Sequence, residues 1–170
     1  MTLDLIDVRD LVGHPGASKT QSLRGTVEAL GTELARVPED LPIGGLLLLE
    51  SVVEGILVSG AVEGVLQLDC ARCLKEFEQV FSVPIYELFV SEPDPDADDY
   101  PLDPDGELDP EQMVRDVVGV ELPFSPLCKP DCLGLCATCG GDKNLGECPG
   151  HQQIDSRWDG LEQLFEQTEH

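Results

Sequence analysis

Seven cysteines in 170 residues are the side chains here most able to do chemistry. Cys70 and Cys73 stand alone in a Cys-Ala-Arg-Cys turn, and Cys128, Cys132, Cys136, Cys139 and Cys148 crowd into a second stretch. A Cys-x-x-Cys turn aims two sulfurs at one point and makes half of a tetrahedral zinc site. Cys136-Ala-Thr-Cys139 is another such turn, and Gly140 and Gly141 behind it let the backbone curl around a metal. Two such turns well separated in sequence form a strong zinc signal. With His151 there are eight candidate ligands, enough for two four-donor sites. One division sets Cys70 and Cys73 with Cys128 and Cys132, and Cys136, Cys139 and Cys148 with His151. Another joins Cys70, Cys73, Cys136 and Cys139 in one ribbon-like site and leaves three cysteines over. Cys132, Cys136 and Cys139 are also close enough in sequence to share a cluster. Spacing does not choose among these, though the count leans toward two ions.

Other readings of the thiols fit less well. One or two buried, unliganded cysteines are common, but seven in these spacings are not. Cys132-x-x-x-Cys136-x-x-Cys139 has the radical-SAM spacing, yet that chemistry needs the motif near the start of a large α/β barrel. The bacterial ferredoxin run is not matched. A redox Cys-x-x-Cys belongs near a βαβ pattern, and none surrounds these turns. Arg72, Lys75, Lys129 and Lys143 lie within or beside the cysteine segments and make up four of the ten basic residues. They read either as compensation for thiolate charge or as a small basic patch for RNA phosphates.

The elements that must carry these turns follow from periodicity. Ile56, Val58, Val62, Leu66 and Leu68 alternate, and so do Phe77, Phe81, Val83, Ile85 and Phe89, which is the strand period. The two runs predict a hairpin whose tip is Cys70 to Glu76, within an antiparallel sheet over residues 41–90 that Leu46 to Val53 extends by a third strand. Leu3, Ile6, Val8 and Leu11 fit a short strand, and His14 to Ser18 a turn. Residues 91–107 hold four prolines, many acids and no base, which predicts a mobile acidic loop. Asp109-Pro110-Glu111 is a helix start, and Leu122-Pro123 a stop, for a helix within 108–122. Residues 128–151 form the cysteine-rich metal segment. Trp158, Leu161, Leu164 and Phe165 give a last helix over 155–168 an apolar stripe. The expectation is one α+β domain, residues 1–170. It is an antiparallel β-sheet with a zinc-knuckle hairpin, a cysteine-rich metal-binding segment and two or three short helices.

Thirty-four acids against ten bases give a formal net charge of −24, which repels phosphate backbones at long range. RNA contact therefore needs a local basic face. The opening residues lack the basic-then-apolar form of a signal peptide, and the run Ile43 to Leu49 is too short to span a bilayer. The cytosol is the expected compartment, where thiols stay reduced and favour metal over disulfides. No His-Glu-x-x-His, phosphate loop or Gly-x-Ser-x-Gly is present. The chain reads as no enzyme, without a small-molecule substrate or a membrane partner.

Three stretches together resemble the YceD family, the bacterial large ribosomal RNA subunit accumulation proteins. They are Asp69-Cys-Ala-Arg-Cys-Leu-Lys-Glu-Phe77, Glu121-Leu-Pro-Phe-Ser-Pro-Leu-Cys-Lys-Pro-Asp-Cys-Leu-Gly-Leu-Cys-Ala-Thr-Cys-Gly140, and Ile154-Asp-Ser-Arg-Trp-Asp-Gly-Leu161. The resemblance covers roughly residues 45–165. It implies a role in accumulation of large-subunit ribosomal RNA, hence ribosome biogenesis, and metal ligands at Cys70, Cys73, Cys128, Cys132, Cys136 and Cys139. The tail departs from the family pattern, in which an unbroken Asp-Leu-Asn and a closing cysteine pair are expected. This chain has Asp142-Lys143-Asn144-Leu145 and then Cys148-Pro-Gly-His151. The function expected is that of a non-catalytic zinc-binding factor, with large-subunit ribosomal RNA or a basic ribosomal protein as its partner. The alternative is a thiol or zinc redox-sensing regulator.

Overall fold

Period-2 alternation puts one set of apolar side chains on a single face, and such strands are stable only when that face is covered. The computed structural model describes residues 3–94 and 99–151. Its strands are β1 (Ile6–Asp7), β2 (Ser18–Gly25), β3 (Ala35–Arg36), β4 (Ile43–Ser51), β5 (Ile56–Asp69), β6 (Glu76–Val90), β7 (Tyr100–Pro101) and β8 (Glu107–Leu108). One helix, α1 (Glu111–Glu121), follows.

β5 and β6 pair antiparallel along their whole length, from Ile56 opposite Phe89 to Asp69 opposite Glu76. Six residues, 70 to 75, turn between them. The main sheet runs β2-β4-β5-β6-β7, and β3 pairs with β5 beyond the end of β4. β7 joins β6 in parallel, and β1 and β8 form a separate two-stranded ribbon. Leu47 and Leu49 of β4, Val58, Val62 and Leu68 of β5 and Ile85 and Phe89 of β6 are buried on the inner face. Met113, Val114 and Val118 of α1 join that core, and the helix packs against β6.

Local chemistry sets the ends of α1. Pro110 already has helical φ of −80°, and the Asp109 carboxylate accepts the Glu111 N–H at 2.9 Å. Leu122 is extended, as the residue before a proline prefers, and ends the helix. Residues 123–127 then return toward the hairpin tip, where the Ala71 N–H donates to the Pro126 carbonyl at 2.8 Å. That bond delivers Cys128 to Cys70 and Cys73.

The described residues are mostly β-sheet and hold one short helix, α1, within the expected 108–122; the helix expected over 155–168 lies outside them. The acidic stretch 91–107 needs a correction, because it is not wholly loop. The Tyr100 ring stacks on Phe89 at 5.2 Å between centroids, Leu102 is buried, and the Val8 N–H donates to the Gly106 carbonyl. Tyr100 and Leu102 find the core although the composition is that of a solvated segment. Among the described residues no helix is long and apolar enough to cross a membrane.

Candidate metal centres

Cys70 and Cys136 each open the same local turn. The Leu74 N–H donates to the Cys70 carbonyl at 2.9 Å, and the Cys70 N–H to the Lys75 carbonyl at 3.0 Å. Six residues behave likewise at Cys136: Gly140 N–H to its carbonyl at 2.8 Å, and its N–H to the Gly141 carbonyl at 2.9 Å. The fifth residue must be left-handed for these bonds to close. Leu74 has φ of 58° and Gly140 φ of 74°. Glycine takes that conformation freely, whereas leucine is strained there.

At the hairpin tip the Cys73 and Cys128 sulfurs lie 3.6 Å apart, and those of Cys70 and Cys132 3.8 Å apart. All four sulfurs fall within 4.8 Å of one another. A zinc ion bonded to four sulfurs at about 2.3 Å would set them about 3.8 Å apart. A disulfide would need about 2.05 Å. The donor set therefore fits a tetrahedral soft-ligand cation. Cys70 and Cys132 are buried, and Cys73 and Cys128 half-buried.

A second group gathers Cys136, Cys139, Cys148 and His151, again with ligand atoms within 4.8 Å. Cys136 is buried, Cys148 half-buried, and Cys139 and His151 exposed. A hollow of about 400 Å³ opens beside it, lined by Cys136, Lys143, Cys148, Gly150 and His151. These two groups take up all eight residues read as ligands from sequence. The mixed set Cys70, Cys73, Cys136 and Cys139 is not one of the groupings.

Backbone dipoles prepare some of these thiols for a cation. Burial pushes Cys70 up, but N–H groups of Cys128, Cys73 and Arg72 outweigh it and bring its pKa down to about 6. N–H groups of Cys139 and Thr138, opposed by burial, bring Cys136 down to about 6 as well. Cys128 goes the other way. Burial, and then competition with the thiols of Cys73, Cys70 and Cys132, push it up to about 12.

Asn144, which is not one of the expected ligands, contributes to the first group. Asn144 donates from Nδ2 to the Cys132 sulfur at 3.5 Å and to the Asp142 carboxylate at 2.7 Å, and accepts the Leu133 N–H at 2.9 Å. It sits in the loop of the second group yet touches a sulfur of the first. The Asp142-x-Asn144 spacing was the available signal. Gly134 locks the same junction. Its φ is 74°, and a Cβ there would stand 2.8 Å from the Arg72 carbonyl oxygen. Leu135 N–H donates to that oxygen at 2.9 Å.

The four basic residues have unequal surroundings. The Arg72 guanidinium donates to the Cys132 carbonyl at 2.8 Å. Lys75 and Lys129 are exposed at the first group, and Lys143 lines the hollow at the second.

Comparison with known proteins adds the family. A family model described as large ribosomal RNA subunit accumulation protein YceD matches residues 58–165. The chain belongs to the YceD family. The YceD match takes in the β5–β6 hairpin from Val58 onward, all seven cysteines and His151. An uncharacterized protein of Mycobacterium bovis is 38% identical over 171 residues, covering 94% of this chain and 80% of that protein. One from Mycobacterium leprae is 35% identical over 162 residues, covering 91% and 74%. A chloroplastic large ribosomal RNA subunit accumulation protein YCED homolog 1 of Zea mays is 40% identical over 40 residues, which are 24% of this chain and 14% of that protein. No solved structure matches the chain.

Proposed function

We propose that this chain is a non-catalytic, zinc-binding cytoplasmic factor needed for accumulation of large-subunit ribosomal RNA. One observation carries the reading. In a YceD chain, eight donor atoms from separated stretches converge into two four-donor groups at the hairpin tip and the loop beside it. Cys70, Cys73, Cys128 and Cys132 would hold one zinc, making the tip a zinc knuckle; Cys136, Cys139, Cys148 and His151 would hold another. Four-donor sites leave no open position for substrate, so the zinc supplies structure and not Lewis-acid chemistry.

The client is a basic ribosomal protein or large-subunit ribosomal RNA. A net charge of −24 favours the protein. RNA would have to use Lys75, Lys129 and Lys143 together with Arg72, whose guanidinium is already engaged by the Cys132 carbonyl.

Metal analysis of the purified chain should return two zinc ions. Depleting the chain in its host should lower large-subunit relative to small-subunit ribosomal RNA. The wild-type gene should restore the ratio, and a Cys70→Ser/Cys73→Ser variant should not. An unchanged ratio on depletion would remove the proposed role.

The exposure of Cys139 and His151 favours a second reading, a thiol or zinc redox-sensing regulator working through the second group. Oxidation that ejects one zinc of two, reversibly and at these residues, would support it. Thiols inert while metal is bound would count against it.

A further inference from the structure

The outer face of the main sheet carries chemistry that the metal centres do not use. Strand register lays it out in rows. Ser22, Leu46, Ala61 and Pro84 stand side by side across β2, β4, β5 and β6, and Thr20, Leu48, Ser59 and Tyr86 form the next row. Leu46, Val80 and Tyr86 are 65%, 78% and 75% exposed. Singly exposed apolar residues are ordinary, but a contiguous set on one face marks a binding surface.

A hollow of about 760 Å³ interrupts this face. Its lining includes the adjacent row Arg24, Gly44, Glu63 and Ser82, and the pair Val65 and Val80 beyond it. Toward the hairpin tip the rows become Gln67 with Glu78 and Asp69 with Glu76; at the other end stands Glu50. Arg36 of β3 joins the row of Gln67 and Glu78 and pairs with Asp69 at 3.2 Å. The face is therefore apolar at its centre and hollow beside it, with Glu76 and Glu78 toward the tip, Glu50 at the other end, and Arg24 and Arg36 as the bases in these rows.

We propose that this outer sheet face docks a basic polypeptide segment, whose large apolar side chain enters the hollow at Val65 and Val80 and whose Lys or Arg side chains meet Glu63, Glu76 and Glu78. Charge complementarity selects this occupant. Acids at the ends of the face, on a chain of net charge −24, repel a nucleic-acid backbone and a second copy of the same chain alike. The inference deepens the proposed function by giving a basic client its surface, and it rests on that reading only for the client's identity.

The experiment uses the zinc-loaded full chain. Probes are a fluorescent peptide alternating lysine with leucine, the same peptide with serine for leucine, and a fluorescent single-stranded RNA oligonucleotide. Binding is read by anisotropy at two salt concentrations. The lysine–leucine peptide should bind, and the lysine–serine peptide should bind at least about 10-fold more weakly. Leu46→Ser/Tyr86→Ser and Val80→Ser should each weaken the lysine–leucine peptide about 10-fold, the loss expected of a buried anchor. Both variants change exposed side chains, and circular dichroism with zinc content confirms that they stay folded. Glu63→Gln/Glu78→Gln should flatten the salt dependence. Equal peptide affinity for wild type and both apolar variants overturns the proposal. So does RNA binding that the same variants abolish, or a wild-type dimer that they dissolve. A normal ribosomal RNA ratio on depletion would sink the cellular role and leave this surface standing. Equal affinities would do the reverse.

Discussion

If Cys70, Cys73, Cys128 and Cys132 hold zinc as proposed, replacing Asn144 with alanine should loosen it, although Asn144 is not one of the four donors. The side chain makes three hydrogen bonds: to the Cys132 sulfur, to Asp142 and from Leu133 N–H. A net hydrogen bond contributes about 0.5–1.5 kcal/mol, and one to a charged group about twice that. Leu133 is exposed, so its freed N–H can turn to water and adds little. The bond to a metal-bound thiolate then dominates, at no less than about 1 kcal/mol, or about 5-fold in affinity. Second ligand-shell partners in general tune affinity by about 10- to 100-fold, so 5-fold is a lower bound. Asn144→Asp should do worse, because it sets a carboxylate against both a thiolate and Asp142. Lys143→Ala is the control, since its contact to the Gly134 carbonyl comes from the backbone N–H. Cobalt substitution gives a sulfur-to-metal absorption band, and a chromophoric chelator times metal release. Asn144→Ala with wild-type release from the four-cysteine group would refute the argument that the two loops support one another.

Other outcomes follow from the same geometry. Gly134→Ala should destabilise the loaded chain by about 1–3 kcal/mol in thermal unfolding, because it forces a Cβ onto the Arg72 carbonyl in a left-handed conformation. Leu74→Gly should cost nothing or raise the melting temperature, since it relieves a left-handed leucine whose side chain is exposed. Zinc binding should tighten by at least about one decade per pH unit between pH 7 and 8. The sign follows from Cys128: pushed up to about 12, its thiol is protonated throughout this window in the metal-free chain and must release a proton on binding. A flat affinity there would contradict the placement of Cys128. Chelation should raise amide hydrogen exchange across 123–151 while β4, β5 and β6 stay protected; uniform deprotection would show a fold that depends on metal everywhere.

Much of the architecture was legible, for a reason visible in particular strands. β5 and β6 have one buried face each, so Ile56, Val58, Val62, Leu66 and Leu68 announce their period. β2 was not legible. Its Ser-Lys-Thr-Gln-Ser-Leu-Arg-Gly has Leu23 as its one buried large apolar residue, and pairing with β4 overrides local preference. In β4 four consecutive leucines hide the period. Leu47 and Leu49 turn inward while Leu46 and Leu48 face out, and only the register reveals it. The donor types could be read directly, but their partition could not. Which cysteines meet depends on the Ala71–Pro126 bond and on the return of 123–127 from α1, neither of which leaves a mark in spacing.

Between Pro123 and His151 the buried residues are Pro126, Cys132, Gly134 and Cys136, while Phe124, Leu133 and Leu145 all face solvent. A stretch that buries so little apolar surface has no core with which to offset the backbone entropy of its order, about 1–2 kcal/mol per residue. The sheet needs no such help, since Val58, Val62, Leu68, Ile85 and Phe89 already bury one face of the hairpin. Metal contributing on the order of 10 kcal/mol per site is the available substitute. It acts where the donors are, at the tip and the loop beside it, and nowhere else. The outer sheet face is carried by the strands and not by the loop of the second group, so it should keep its shape and its peptide affinity when that group alone is emptied.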